Sequence, residues 1–304
     1  MSTVAGFGVE EFELHRRHLM GVAYRMLGTA AETEDIVQET WLRWREAPRH
    51  DVLNPRSYLT TIATRLCLDY LKSARVQREQ YVGQWLPEPV PAREFIGAGS
   101  PEATVEAMES ISYATMVVLE RLSPLERAVF LLRDVFDFDY AEIANVVGTD
   151  EATCRQVQRR ARRRLTEGEK RFESSYQERL RLTLEFLRAA GAGDFTGLRE
   201  LLAEDVVQWG DGGGRMRAGL NPIYGREKVT RLIEHNAHKV WFDAIQIIDL
   251  NGAPAAVLTT NGLPVDIILF QTQHGLITEM WQVRNPDKMH AVRRYLAAAP
   301  PPVQ

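Results

Sequence analysis

The stretch from Leu122 to Leu165, LSPLERAVFLLRDVFDFDYAEIANVVGTDEATCRQVQRRARRRL, constrains the chain most, because its pattern fits a helix, a tight turn and a strongly basic second helix. Ile143, Ala144 and Val147 recur at helical spacing and stop at Gly148, which can take the positive φ of a helix C-cap. Thr149 is the expected N-cap of the next helix, and Asp150 and Glu151 place negative charge beside its exposed N–H groups. On that helix Cys154, Val157, Ala161 and Leu165 share one face, while Arg155, Gln156, Arg159, Arg160, Arg162, Arg163 and Arg164 cover the others. A thin apolar seam under so much guanidinium suits a polyanion: Arg and Gln read base edges in a major groove, and the remaining Arg side chains neutralise phosphate. A solvated helix end that complements its own dipole is the plainer alternative, but cap, turn and charge cluster occur together here.

Composition restricts where nucleic acid can bind. The net charge of -4 and pI near 6.0 argue against indiscriminate coating, so contact should be local. With 304 residues and 45% hydrophobic content, three domains with real cores are expected: 1–79, a linker over 80–106, then 107–171 and 172–304. The two cysteines, Cys67 and Cys154, lie far apart within helical patterns and match no zinc spacing. A reducing compartment, no disulfide, no metal and no cofactor are therefore expected. No signal pattern or membrane-length apolar run occurs, which points to a cytoplasmic protein without a membrane partner.

The first domain reads as successive helices. In FELHRRHLMGVAYRML, Leu14, Leu19, Val22, Ala23 and Met26 suit an apolar face that Gly28 closes. The next helix places Val37, Trp41 and Trp44 on one stripe and turns Asp35, Gln38, Glu39 and Leu42 the other way. Acceptor-rich side chains at this spacing can dock Arg or Lys of a partner. After a break at Pro48 to Pro55, Tyr58, Leu59, Ile62, Ala63, Leu66, Leu68 and Leu71 supply core-facing positions of a helix whose surface carries Arg56, Arg65, Lys72, Arg75 and Arg78. Basic residues interleaved with aromatics suit unpaired bases, and Tyr58, beside the loop, is the best placed to reach one.

The D-I-V-Q-E-T run at Asp35 to Thr40, the following P-R-S-Y-L helix and the Leu122 to Leu165 unit, in this order and spacing, resemble regions 2 and 4 of bacterial group IV, or extracytoplasmic-function, sigma factors. The resemblance implies that Asp35, Gln38 and Glu39 bind the coiled coil of the RNA polymerase β′ clamp. It implies that the loop from Arg49 to Pro55 and the helix after it, with Arg56, Tyr58, Arg65, Lys72 and Arg75, capture and melt a −10 element. Thr153, Arg155, Gln156, Arg159, Arg160 and Arg163 would then read a −35 element. Val157 departs from the family, where a basic residue is common.

Gln80 to Pro101 is rich in Pro and Gly and breaks both periodicities, yet Trp85, Leu86 and Phe95 imply that part of it packs on a neighbour. From Glu173 a long amphipathic helix with Leu180, Leu184, Phe186 and Leu187 leads through GAGDF to TGLRELLAEDVVQWG. Further helices follow, with strands at DAIQIIDL, AAVLTT, VDIILFQT and LITEMWQV, which implies an α+β domain. This third is similar to the SnoaL-like branch of the NTF2-like superfamily, a curved sheet around a helix that leaves a conical pocket. The overall expectation is two all-α domains, the second a helix-turn-helix, followed by an NTF2-like cone.

Asp211, His235, Asp266 and His274 are the candidate acid/base groups of such a pocket, with Trp241, Phe242, Phe270 and Trp281 as walls, but they form no evident dyad. Three motifs are sharper: W-L-P-E-P from Trp85, D-G-G-G-R from Asp211 and N-P-D-K-M from Asn285. Together they resemble the signature of sigma factors with a fused SnoaL-like tail, with Arg215 and Met289 standing where relatives carry Lys and Leu. The resemblance implies an inter-domain regulatory contact through Trp85, Leu86, Pro87, Asp211, Gly212, Gly213, Gly214, Arg215, Asn285, Pro286, Asp287 and Lys288. The expected function is promoter-specific initiation with RNA polymerase core, without catalysis by the chain itself, and with a small ligand in the cone as a further partner. A one-component DNA-binding regulator, or a DNA-binding protein with a catalytic or ligand-sensing SnoaL-like domain, is the alternative; the first would need no Asp35, Gln38 and Glu39 face.

Overall fold

The computed structural model describes residues 7–47, 52–95, 111–166, 174–237 and 241–298. The chain divides into two compact units, 1–79 with 92–169, and 80–91 with 170–304.

The first unit is helical: α1 (Phe7–Leu27), α2 (Ala30–Glu46), α3 (Pro55–Glu79), α4 (Tyr113–Leu119), α5 (Pro124–Phe130) continuing into a π-helical turn at Leu131–Val135, α6 (Tyr140–Val147) and α7 (Glu151–Thr166). Leu19, Val22, Ala23 and Met26 are buried on α1, but Leu14 is 81% exposed. Counting back seven from Leu19 along the stripe reaches Phe12, and it is Phe12 that fills the core, 5.1 Å from the half-buried Trp41 ring. Trp44 is buried with its indole N–H donating to the Gly8 carbonyl at 3.0 Å. Gly28, at φ 76°, closes α1 by donating to the Tyr24 carbonyl.

Capping boxes start α5 (Ser123 with Glu126) and α6 (Asp139 with Glu142), and Gly148 at φ 72° ends α6. The N-cap of α7 is Asp150, not Thr149: its carboxylate accepts from the Thr153 N–H at 2.9 Å and the Thr153 hydroxyl at 2.7 Å. Thr149 instead belongs to the preceding turn, its N–H donating to the Ala144 carbonyl. An ionised cap beside the helix N-terminus gains from the dipole as well as from the hydrogen bond.

The second unit opens with α8 (Tyr176–Ala192) and α9 (Phe195–Leu201), then β1 (Leu202–Asp211), β2 (Ile223–Tyr224), α10 (Arg226–Asn236), β3 (Ala244–Leu250), β4 (Ala253–Thr260), β5 (Leu263–Gln273), β6 (Leu276–Val283) and α11 (His290–Ala298). Among the described residues the sheet is six-stranded in the order β2-β1-β6-β5-β4-β3, with β1 parallel to β6 and the other pairs antiparallel. The hairpins turn at Asn251-Gly252, Asn261-Gly262 and His274-Gly275, all at positive φ, which matches the right-handed twist of the strands they join. Register shifts in the β1–β6, β4–β5 and β5–β6 pairings mark where the sheet bends. Helix α8 covers it with Leu182, Phe186 and Ala189, whereas Leu184 is 49% exposed: Leu182 and Phe186 are i and i+4, and Leu184 falls between them on the far side. This unit is α+β, a bent six-stranded sheet covered by helices. No helix among the described residues is long and apolar enough to cross a membrane.

Candidate functional site

The apolar seam of α7 is the one its spacing predicts. Cys154 and Val157 pack with Val129, Leu132, Ile143 and Val146, and Ala161 and Leu165 are also buried. Val157, the departure from the resemblance noted above, is a core position here. Seating that seam turns Arg155, Gln156, Arg159, Arg160 and Arg163 outward, all exposed, with Thr153 half-exposed and its hydroxyl engaged by Asp150. Arg155 pairs with Glu151 at 2.6 Å and lies 4.9 Å from the Tyr140 ring centre. Arg162 and Arg164 are tied back instead, to Asp134 and to Glu126 respectively. Gln158, which the spacing leaves unassigned, is buried, accepting from the Tyr140 hydroxyl at 2.6 Å and donating to Asp134 at 2.9 Å. These ties fix the rotation of α7 about its axis, so the outward arginines form one face.

On α2, Asp35 and Gln38 are exposed, and the half-exposed Glu39 pairs with Arg43 at 3.0 Å. On α3, Arg56 is exposed, Lys72 pairs with Asp69 at 3.1 Å, and the half-buried Tyr58 ring sits 5.9 Å from that of Trp44. Arg65 donates to the carbonyls of Asn145 at 2.6 Å and Val146 at 3.1 Å, a cation held at the C-terminus of α6. Loop residues 48–51 and the side chain of Arg75 lie outside the described residues.

Within the second unit the three short motifs meet. Asp211, at the end of β1 and fully buried, accepts from the Lys288 ammonium at 2.6 Å, the Leu86 N–H at 3.0 Å, the Tyr81 hydroxyl at 2.5 Å and the Gly213 N–H at 3.0 Å. Lys288 also donates to the Leu86 carbonyl at 2.5 Å, and its ammonium sits 3.8 Å from the Trp85 ring centre and 4.8 Å from that of Tyr81. Asn285 donates to the Tyr81 oxygen at 2.8 Å, and its own N–H, like that of Arg284, reaches the Asp211 carbonyl. At the rim Arg215 pairs with Asp287 at 2.7 Å. Pro286 starts the short 3-10 turn that carries Lys288 inward. Glu88 accepts from the Ala291 N–H, and Val90 exchanges two hydrogen bonds with Asn251. Residues 80–91 are thus a strap fastened along its length. A buried charge pair hydrogen-bonded on every side is the arrangement that low dielectric demands.

The close approach has a backbone cause. Gly213 (φ 60°) and Gly214 (φ 72°) take left-handed conformations, and a Cβ on Gly213 would overlap the Asn285 side chain. Burial and the Asp211 carboxylate push the Tyr81 phenol far above its ordinary range. Tyr81 and Asn251 carry no mark in the sequence periodicity; an aromatic beside the Pro-rich motif and an Asn-Gly hairpin turn were the available signals.

The pocket candidates separate. Asp266 lines the cavity between the sheet and α8 and α10, as does Phe242. Asp211 belongs to the strap contact, and His274 sits in the β5–β6 turn at φ 51°. His235 is on α10 but is not among the cavity-lining residues. Trp241 is 71% exposed, while Phe270 packs 4.9 Å from Phe186 in the core. Trp281 is buried and faces away from the cavity-lining Met280 and Gln282 that flank it in β6. Burial pushes the Asp266 carboxyl up to about 7, against the Arg284 charge and the Gln282 hydrogen bond.

A helix-turn-helix with an outward arginine face, set on an all-helical body, defines a DNA-binding transcription protein. Residues 12–76 match the family Sigma-70 region 2, and residues 114–165 match Sigma-70, region 4. Over 293 residues, 92% of each chain, the sequence is 41% identical to the ECF RNA polymerase sigma factor SigJ of Mycobacterium tuberculosis (strain ATCC 25618 / H37Rv). It is 30% identical to the probable ECF RNA polymerase sigma factor SigI of the same species, over 93% of this chain and 94% of that one. The crystal structure of the M. tuberculosis extracytoplasmic function sigma factor SigJ superposes with a TM-score of 0.73 at 35% identity, covering 93% of this chain and 98% of that one. The chain belongs to the extracytoplasmic-function RNA polymerase sigma factors.

Proposed function

We propose that this alternative sigma factor directs RNA polymerase core to its promoters with a division of labour set by three parts, 1–79, 107–171 and 172–304, and that the third regulates the first two. The Asp35, Gln38 and Glu39 face of α2 docks the β′ clamp. Arg56, Tyr58, Arg65, Lys72 and Arg75 of α3 take the −10 element, and Thr153, Arg155, Gln156, Arg159, Arg160 and Arg163 of α7 take the −35 duplex. Arg65 contacts DNA only after releasing the Asn145 and Val146 carbonyls, so engaging the −10 element requires α3 and α6 to part. The NTF2-like domain acts by intramolecular contact rather than by catalysing a reaction.

One observation carries the regulatory reading: the strap that follows α3 is fastened to the NTF2-like domain by the buried Asp211–Lys288 pair. Holding or releasing those twelve residues, a contour of roughly 40 Å when extended, changes the freedom of the connection between the two promoter-binding parts. In vitro transcription with bacterial core polymerase tests both halves. Initiation should require core plus this protein, and Lys288→Met should change its yield while core affinity is retained. Unaltered transcription from Lys288→Met under all conditions would remove the regulatory reading and leave the sigma assignment standing.

A further inference from the structure

The outward arginines of α7 are not alike. Among the described residues Arg159, Arg160 and Arg163 form no ion pair or side-chain hydrogen bond, but Arg155 is held by two groups. Its guanidinium carbon lies 4.9 Å from the centre of the Tyr140 ring, and its Nη2 donates to the Glu151 carboxylate at 2.6 Å. The difference suits two kinds of contact with duplex DNA. A phosphate takes a cation from a wide range of directions, so a freely rotating side chain serves it. A guanine presents O6 and N7 as a planar pair of acceptors, and a bidentate donor must arrive with its plane aligned. Arg155 lies in the N-terminal half of α7, the part of a recognition helix that reaches base edges. Glu151 offsets its charge, which makes Arg155 a poor counterion but leaves its remaining N–H groups to a base.

What holds Arg155 is itself anchored. Tyr140 opens α6 directly after the Asp139 N-cap. Its hydroxyl donates to Gln158 Oε1 at 2.6 Å, Gln158 Nε2 donates to Asp134 Oδ2 at 2.9 Å, and Asp134 also holds Arg162. Gln158 is buried, so this chain of hydrogen bonds runs where water does not compete for its partners. Arg133 stands 5.2 Å from the same ring centre and is tied to the Phe138 carbonyl at 2.8 Å. The ring is thus pinned at its hydroxyl, and its π face attracts a guanidinium, which stacks on aromatic surfaces.

We propose that Tyr140 is a positioning residue for −35 specificity: its ring sets the plane of the Arg155 guanidinium for bidentate donation to a guanine at one base pair. This rests on the reading of α7 as the −35 helix. Tyr140 acts through Arg155, so removing the ring leaves the cation in place and frees its direction. The signature is a loss of discrimination at one position without a loss of electrostatic affinity.

The test uses holoenzyme assembled from bacterial RNA polymerase core and the full chain, with a duplex library randomised across the −35 region as the probe. Wild-type holoenzyme should select a sequence containing a guanine whose replacement lowers affinity by about tenfold or more, and Arg155→Ala should lose that preference alone. Tyr140→Leu should cut the preference at the same base pair to less than about threefold while keeping the preferences elsewhere and the salt slope of binding. Tyr140→Phe, which keeps the ring, should keep the preference. Circular dichroism and core binding check that each variant is folded, and the preference, a ratio of affinities, does not depend on the fraction that folds. An even loss of affinity at every position in Tyr140→Leu, the result a packing role would give, overturns the proposal. So does an unchanged guanine preference in that variant, or an equal loss in Tyr140→Phe. A selected guanine insensitive to Arg155→Ala would overturn this proposal alone, whereas wild-type holoenzyme that selects no −35 sequence would overturn the reading of α7 beneath it.

Discussion

Lys288→Met is the most informative single change in the second unit. The side chain keeps its length and loses its charge beside a carboxylate with no solvent exposure. Removing one member of a buried pair costs about 3–5 kcal/mol, because the remaining charge is left uncompensated. Here Asp211 keeps the Tyr81 hydroxyl and the Leu86 and Gly213 N–H groups, which sets the expectation at about 3 kcal/mol, the lower end of that range. The strap can relieve the penalty by lifting off and letting water reach Asp211, so the destabilisation should appear as local opening rather than global unfolding. Native-state hydrogen exchange reads this directly at the Leu86 and Ala291 amides, whose acceptors are Asp211 and Glu88. Protection there should fall by about a hundredfold, while amides in the β3–β4 and β4–β5 pairings keep theirs. Adding Asp211→Asn should recover part of the protection, since the orphaned charge is then gone. A fall of less than threefold at Leu86, or an equal fall across the sheet, would refute the strap as a separately fastened element.

Gly213→Ala should open the same contact from the other side: φ 60° and overlap with Asn285 imply about 1–3 kcal/mol and the same exchange pattern at Leu86. Replacing Arg159 and Arg160 together with Ala should weaken promoter binding, lower the slope of log affinity against log salt by roughly one for each phosphate no longer neutralised, and leave core binding intact; a core-binding defect as well would count against the assignment of α7. Asp266 gives a pH signature. Its folded-state value near 7 lies above the unfolded value, so the folded chain retains a proton that the unfolded chain has released, and stability falls as pH rises between about 4 and 7, then levels. Asp266→Asn should remove that contribution, gaining on the native chain by at most about 4 kcal/mol at pH 8 and by little at pH 4; urea denaturation at the two pH values measures the difference, and a pH-independent gap would refute it.

What is legible in the sequence is what repeats. The α7 seam of Cys154, Val157, Ala161 and Leu165 follows the helical period, and the strands from Ala244 to Val283 follow runs of β-branched residues. Period alone does not fix phase, which is why the pattern points Leu14 and Leu184 inward while Phe12 and Leu182 take those roles. The N-cap slips by one residue for a related reason: Thr149 and Asp150 both qualify by type, and only the reach to the Thr153 N–H distinguishes them. The strap contact has no period at all. Leu86 and Asp211 are 125 residues apart, and Asp211 and Lys288 are 77 apart, in loops and strand ends where spacing carries no information. The motifs stand out by resemblance, but that resemblance does not include Tyr81, which bonds to both Asp211 and Asn285.

The geometry of β1 and β6 places the cavity and the strap contact side by side. These strands run parallel and side by side, so their C-terminal ends lie together, with Gly210 opposite Gln282 and Asp211 opposite Val283. Along each strand the even positions face the cavity, and the chain then leaves the sheet into the strap contact through Asp211 on one strand and Asn285 beyond the other. The Asp211 carbonyl accepts from the N–H groups of both Arg284 and Asn285, so the two strand ends move as one body. The strap is therefore fastened where two parallel strand ends are already held together.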